Sequence, residues 1–147
     1  MRHPRAERER LVQIRLQTKE GRDELVWAKR RSDASYEIKT IPTVAGYHVY
    51  DLVRCDEDLG GQPVALEVVR PSGHRALRVE FVRNALAADC DRILARLRAV
   101  GLDHVERLAA RSFLFDLPPT FLDGEVLRDL LEREQQRGIL AFDVLES

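Results

Sequence analysis

At 147 residues, with 44% hydrophobic and 33% charged side chains, the chain is large enough for one ordinary domain or two small lobes sharing a core. Its composition excludes a disordered polymer, and no apolar run approaches the roughly 20 residues that span a bilayer. The formal net charge of −1 is unevenly placed, with ten Lys and Arg against five acids in residues 1–31 and eight against twelve in residues 84–147.

Residues 1–10 alternate Arg5, Arg8 and Arg10 with Glu7 and Glu9, which reads as a flexible, solvated start and not as a basic patch. No apolar stretch follows these charges as a secretion signal would require. Cys55 and Cys90 form neither a CxxC nor a disulfide framework, so a cytoplasmic location is expected.

From Leu11 the pattern is that of short strands. Val12, Ile14 and Leu16 alternate, as do Leu25 and Trp27, with the polar, Gly21-containing stretch 18–23 between them as a loop. After a polar turn at 32–35, Tyr36, Ile38 and Thr40 form the next strand, which Pro42 ends because it cannot donate to a ladder. Residues 47–55 read as a fourth strand, with Val49, Asp51 and Val53 on one face. An acidic loop follows from Asp56 to Gln62.

The stretch 64–82 reads as a central hairpin. Leu66 and Val68 share a face in its first arm, Leu77, Val79 and Phe81 in its second, and Pro71, Ser72 and Gly73 supply turn chemistry. Beyond it the period changes. Leu86, Cys90, Ile93, Leu94 and Leu97 make one helical stripe, stopped by Gly101. Short strands are expected at 104–108 and 112–117. A second helix begins at Asp123 with the stripe Val126, Leu127, Leu130, Leu131 and stops at Gly138, and a last strand runs 139–145. The fold class predicted is α+β: a small, β-barrel-like (SH3-like) lobe over 11–70, then a ferredoxin-like βαββαβ lobe over 71–147 with two helices packed on one face of a four-stranded sheet, the two lobes expected to form one compact unit.

Several stretches together resemble a bacterial family known only as the domain of unknown function forty-two sixty-five, over roughly Leu11 to Leu145. They are Glu24-Leu25-Val26-Trp27-Ala28, residues 36–42, Tyr50-Asp51-Leu52-Val53, Ser72-Gly73-His74 with Leu77-Arg78-Val79, residues 97–101 and Phe115-Asp116-Leu117-Pro118. The family usually has Gly-Asp-x-Val where this chain has Tyr50 in place of the glycine. The resemblance implies small α+β proteins without an assigned activity. Families of this kind often sit beside toxin genes as immunity proteins.

Chemistry-bearing motifs are few. His74 lies beside Ser72 on a turn, but no GxSxG, Cys-His pair or oriented acid accompanies it in sequence, so a turn hydrogen bond is the favoured role. His3, His48, His74 and His104 approach no zinc spacing, and Asp56-Glu57-Asp58 lacks the ligand spacing of a calcium loop. Neither a metal nor a cofactor is expected, and no enzyme.

Trp27, Tyr36, Tyr47 and Tyr50 cluster in the first lobe, as core packing or as an exposed patch for a partner. The function expected is a protein-binding module, an immunity protein that covers the active site of a cognate toxin. The aromatic residues and His74 would serve as contacts, and Asp51, Asp56, Glu57 and Asp58 as acidic lures for a basic surface. The alternatives are a small-ligand-binding regulatory module and, weakest at this net charge, a nucleic-acid-binding protein.

Overall fold

The computed structural model describes residues 10–18 and 21–145, so nearly all of the expected flexible start lies outside the described residues. The chain divides into two compact units, one ending at His74 and the other running from Arg75 to Leu145.

The first unit is a closed barrel of five strands, β1 (Val12–Gln17), β2 (Asp23–Arg30), β3 (Ser35–Ile38), β4 (Leu52–Glu57) and β5 (Pro63–Arg70), in sequential order. Neighbours are antiparallel, and a parallel pairing of Arg15 with Val64 closes β5 onto β1. Alternation decides what lies inside: Ile14 and Leu16, Val26 and Ala28, Tyr36 and Ile38, then Val53 and Cys55 form the core. Each such aliphatic side chain, fully buried, contributes about 1.5–3 kcal/mol.

Three expectations for this unit are corrected. The fourth strand begins at Leu52, because residues 46–51 form a bend. Tyr50 donates its N–H to Ile38 O at 2.7 Å and Ile38 N–H reaches Asp51 O at 3.0 Å, which ties the bend to the end of β3. The face assigned at the start of β5 is also reversed. Register shifts beside Val53 and Cys55 put Val68 opposite Val53 but Ala65 opposite Cys55. An added residue inverts the alternation, so Ala65 is buried while Leu66 is 48% exposed.

Third, 64–82 is not a hairpin. β5 pairs with β4 and β1, whereas β6 (Arg75–Phe81) pairs with β8 (Ser112–Leu117) and β9 (Leu140–Leu145), so the two arms belong to different sheets. The local signal was sound as far as it went, since Gly73 does have a positive φ of 79°. It marks the crossing from one unit to the next.

The second unit has the order β6, α1 (Ala87–Ala99), β7 (Val105–Ala109), β8, α2 (Gly124–Gln136), β9. Its four strands are all antiparallel, in the spatial order β7-β8-β6-β9. Leu77, Val79 and Phe81 of β6, Phe115 and Leu117 of β8 and Leu140 of β9 meet Ile93 and Leu97 of α1 and Leu127 and Leu131 of α2 in one core. The expected stripes are present but narrower, since Leu86 and Val126 are exposed. The buried Glu134 of α2 joins the helices: Arg92 Nη1 of α1 lies at 3.2 Å and Arg137 Nη1 at 3.1 Å from its Oε1. Burial pushes the Glu134 carboxyl up, but these guanidiniums outweigh it and hold it below the usual range. Asp123 does stand at the start of α2, although its side chain makes no capping hydrogen bond.

Candidate binding surface

On β2, Val26 and Ala28 point into the barrel, so Leu25 and Trp27 point outward, 51% and 38% exposed. The ladder continues beside Trp27 past the end of β3: Lys39 N–H donates to Trp27 O at 2.8 Å, and Trp27 N–H donates to Thr40 Oγ1 at 2.8 Å. Lys39 is thereby next to Trp27 across the sheet. Its ammonium lies 2.8 Å from Glu37 Oε1 and 5.3 Å from the centre of the Tyr50 ring. Tyr50 in turn meets His74 edge to face, with ring centres 4.8 Å apart. Trp27, Lys39, Tyr50 and His74 therefore follow one another in a strip on the first unit. Glu37 supports its middle: burial raises its carboxyl, but Lys39 and Arg31 more than offset that and keep it ionised to lower pH.

Tyr50 is held in an unusual backbone conformation, with φ 69°. That left-handed region favours glycine, because a Cβ there crowds the following carbonyl. The glycine usual at this position in the resembling family is thus explained, and here an aromatic ring occupies the same bend.

Beneath the strip lies a polar knot. Asp51 is 1% exposed. Its Oδ1 accepts Ser72 N–H at 2.8 Å and its Oδ2 accepts His48 N–H at 2.9 Å, with His48 Nδ1 3.7 Å away. Ser72 Oγ donates to Val49 O at 2.7 Å and accepts His74 N–H at 3.1 Å. A carboxylate, a hydroxyl and two histidines thus lie close together, but the hydroxyl proton is directed at a main-chain carbonyl and both carboxylate oxygens at main-chain N–H groups. This arrangement fixes two chain segments 21 residues apart.

The residues singled out from the sequence separate into three groups. Trp27, Tyr50 and His74 come together in the strip. Tyr36, inside the barrel, and Asp51, inside the knot, are corrections to the expected contact set, since side chains 6% and 1% exposed cannot meet a partner. Tyr47 packs against the barrel core, and burial, with a smaller contribution from Cys55, pushes its hydroxyl pKa up.

The acidic residues lie at the other end of β4, about 20 Å along the strand from Asp51 at a rise of 3.3 Å per residue. Asp56 and Glu57 are exposed there. Asp58 is occupied with its own turn: its Oδ1 accepts Gly60 and Gln62 N–H, each at 2.9 Å, and its Oδ2 lies 3.3 Å from Arg15 Nη1. The Gln62 hydrogen bond, with those of Gly60 and Gly61 and the Arg15 charge, holds its carboxyl below the usual range.

Sequence reasoning missed Lys39 and the knot's His48. Lys39 alternates with Ile38 and could have been placed outward beside Trp27. Nothing local signals that Asp51 reaches Ser72.

Among the described residues no three His, Cys, Asp or Glu side chains are grouped to hold a metal ion, and no helix is long and apolar enough to cross a membrane. The architecture is that of an α+β protein with a closed five-stranded barrel and a separate four-stranded sheet carrying two helices. The pattern of the family described as "Domain of unknown function (DUF4265)" matches residues 24–142, and the chain belongs to that family. The fold is also similar to that of a hypothetical protein from Neisseria gonorrhoeae solved by crystallography, with a TM-score of 0.71 at 15% identity, covering 92% of this chain and 95% of the other. No curated protein matches the chain.

Proposed function

We propose that this protein is a non-enzymatic protein-binding module, an immunity protein that neutralises a cognate bacterial toxin in the cytoplasm by covering its active site. The observation that carries this reading is the strip Trp27, Lys39, Tyr50, His74. It sets a half-open Trp, with Leu25 beside it, next to a Tyr held by a cation and a second ring. Aromatic anchors of this kind dominate the energetics of protein interfaces. They are presented on a closed sheet, which loses little freedom on binding. Asp56 and Glu57 at the far end of β4 supply acidic groups for a basic toxin surface and raise the rate of encounter.

The finer fold reading belongs to the same proposal: an SH3-like barrel followed by a ferredoxin-like lobe. The βαββαβ chain order and the strand order β7-β8-β6-β9 support the second part.

The knot supports a role without bond chemistry, because the Ser72 hydroxyl and the Asp51 carboxylate are committed to main-chain groups. Co-expression with the product of the adjacent gene tests the reading. Growth should be rescued by the wild-type chain and not by Trp27→Ala/Tyr50→Ala. A toxic neighbour that the wild-type chain neither binds nor neutralises would overturn it.

A further inference from the structure

The sheet of the second unit has β7 and β9 as its two edges, and their sequences treat pairing differently. β7 is bulged between Arg107 and Ala109. Arg107 also donates from Nε to Ala109 O at 3.3 Å and from Nη2 to Ala110 O at 2.9 Å, which takes up main-chain acceptors at that end. Bulges and charged side chains are the usual means of keeping a sheet edge from pairing with another chain. β9, Leu-Ala-Phe-Asp-Val-Leu, contains no bulge, proline or cation. It runs in unbroken register against β6, from Leu140 opposite Phe81 to Leu145 opposite Ala76.

The phase of the ladder decides which groups of β9 are left over. Val82 N–H donates to Ile139 O at 2.9 Å, so Ile139 turns its main chain to β6, and by antiparallel alternation so do Ala141, Asp143 and Leu145. The N–H and C=O groups of Leu140, Phe142 and Val144 therefore point away from β6. Among the described residues no strand lies on that side. The side chains of these three residues belong to the helix-covered core, yet Phe142 and Val144 are only partly buried.

The helix layer stops at the same border. α2 packs on β9, with α1 on its other side, where Arg92 reaches Glu134 and Arg96 lines a depression with Val126 and Leu130. The flank of α2 turned away from α1 carries Arg128, Glu132 and Gln135, all exposed. Arg128 and Glu132 lie one turn apart, so this flank matches itself when reversed: an antiparallel copy sets each Arg128 toward the other's Glu132.

We infer that β9 is a homodimer interface, in which two copies of the chain pair antiparallel along this edge about a two-fold axis perpendicular to the sheet. The two sheets become one, with the helices of both copies on the same side. One register suits the strand. With Phe142 opposite the partner's Phe142, Leu140 faces the partner's Val144, and every outward main-chain group of the three residues is paired. On the open face Asp143 then lies opposite the partner's Ala141. Centring the pair on Asp143 would set two carboxylates face to face, and centring it on Ala141 would carry Val144 past the end of the partner's strand. The inference is independent of the toxin-binding reading, whose strip lies on the first unit, and its test contains no toxin.

The test uses the full chain alone. Sedimentation equilibrium should show the mass rising from one chain toward two between about 10 μM and about 1 mM, as expected of an interface at the small end of the specific range. Over the same range, amide hydrogen exchange followed by NMR should slow with concentration at Phe142 and Val144. Ala141 and Asp143, already bonded to β6, should be protected at the lowest concentration. Two substitutions at the exposed Ala141 probe the register. Ala141→Asp places like charges opposite one another and should weaken association about fivefold, whereas Ala141→Lys faces the partner's Asp143 and should strengthen it about twofold. The assignment is overturned if the chain stays monomeric up to about 1 mM, or if it dimerises without concentration-dependent protection at Phe142 and Val144. It is equally overturned if the two Ala141 variants shift association in the same direction. Protection of the Phe142 and Val144 amides in a monomer, equal at every concentration, would also overturn it, because another segment of the chain would then hold the edge.

Discussion

The two ends of β4 use the same chemistry to different effect. At one end Asp51 accepts two main-chain N–H groups, and at the other Asp58 does the same. Asp51 is buried, and one of its donors comes from a segment 21 residues away. Asp58 keeps 30% of its side chain open to water; its two main-chain donors lie within four residues, and its one distant partner is the Arg15 guanidinium at 3.3 Å. The comparison teaches that an acidic residue's role is set by where its donors come from. A local turn survives the loss of its carboxylate because water replaces it, whereas a buried tie between distant segments has no substitute.

The sharpest way to break that comparison is to remove both carboxylates. Asp51→Ala leaves the Ser72 and His48 N–H groups without their acceptor in a site closed to water and should cost about 3 kcal/mol, read as a lower urea midpoint with unchanged slope. Asp58→Ala should move that midpoint clearly less. Equal losses would mean that burial is not what separates the two aspartates.

Glu134 extends the comparison to a buried acid that ties two helices. Replacing it with Ala strands Arg92 and Arg137, both partly open to water, and should cost about 2 kcal/mol at pH 7, below the 3–5 kcal/mol of a fully enclosed pair. Its folded pKa is depressed from 4.5, so the stabilisation is fully present above about pH 4.5 and is lost as pH falls through the lower folded value. The gap between wild type and Glu134→Gln should therefore close with acidification. A gap that stayed constant down to pH 2.5 or so would show that the clamp does not depend on charge.

Gly73 lies beside Ser72, the far partner of Asp51, and has a φ of 79°. Gly73→Val forces a β-branched residue into that region and should cost about 1–2 kcal/mol in the same denaturation experiment. An unchanged midpoint would show that the crossing between units relaxes without strain, and that the knot does not depend on the geometry of this turn.

How much of this was legible depended on whether the cause was local. Alternation at Ile14 and Leu16 and the helical spacing of Ile93 and Leu97 are consequences of strand and helix periods, so these elements could be read directly. On β2, by contrast, the pair read as the apolar face, Leu25 and Trp27, points outward, and Val26 and Ala28 fill the barrel. The turn at Pro71-Ser72-Gly73 could be read as a turn, but not as a crossing between sheets, because pairing partners are decided by β8 and β9, more than 30 residues further on. The bulges in β5 inverted the face of Leu66 for a reason that no run of residues announces. Of the expected contact residues, Trp27, Tyr36 and Asp51 looked the same in sequence, each on an alternating strand face, yet Trp27 faces outward while Tyr36 and Asp51 are inside.

The smallest effect concerns Tyr50, which completes the aromatic end of β4. Its φ of 69° is strained for any residue with a Cβ, and its ring is held by His74 and Lys39. Two substitutions separate these terms. Tyr50→Ala removes the ring contacts and keeps the strain, while Tyr50→Gly removes both. Glycine should therefore be more stable than alanine here by about 1 kcal/mol, the reverse of the order in ordinary backbone, where glycine's extra freedom in the unfolded chain makes it the less stable choice. Relative to wild type, Tyr50→Gly should fall within about 0.5 kcal/mol, because relief of strain and loss of ring contacts are of similar size. If alanine were the more stable of the two, the left-handed bend would not be the native conformation. The ring at position 50 would then owe its place in the strip to the strand and not to the turn.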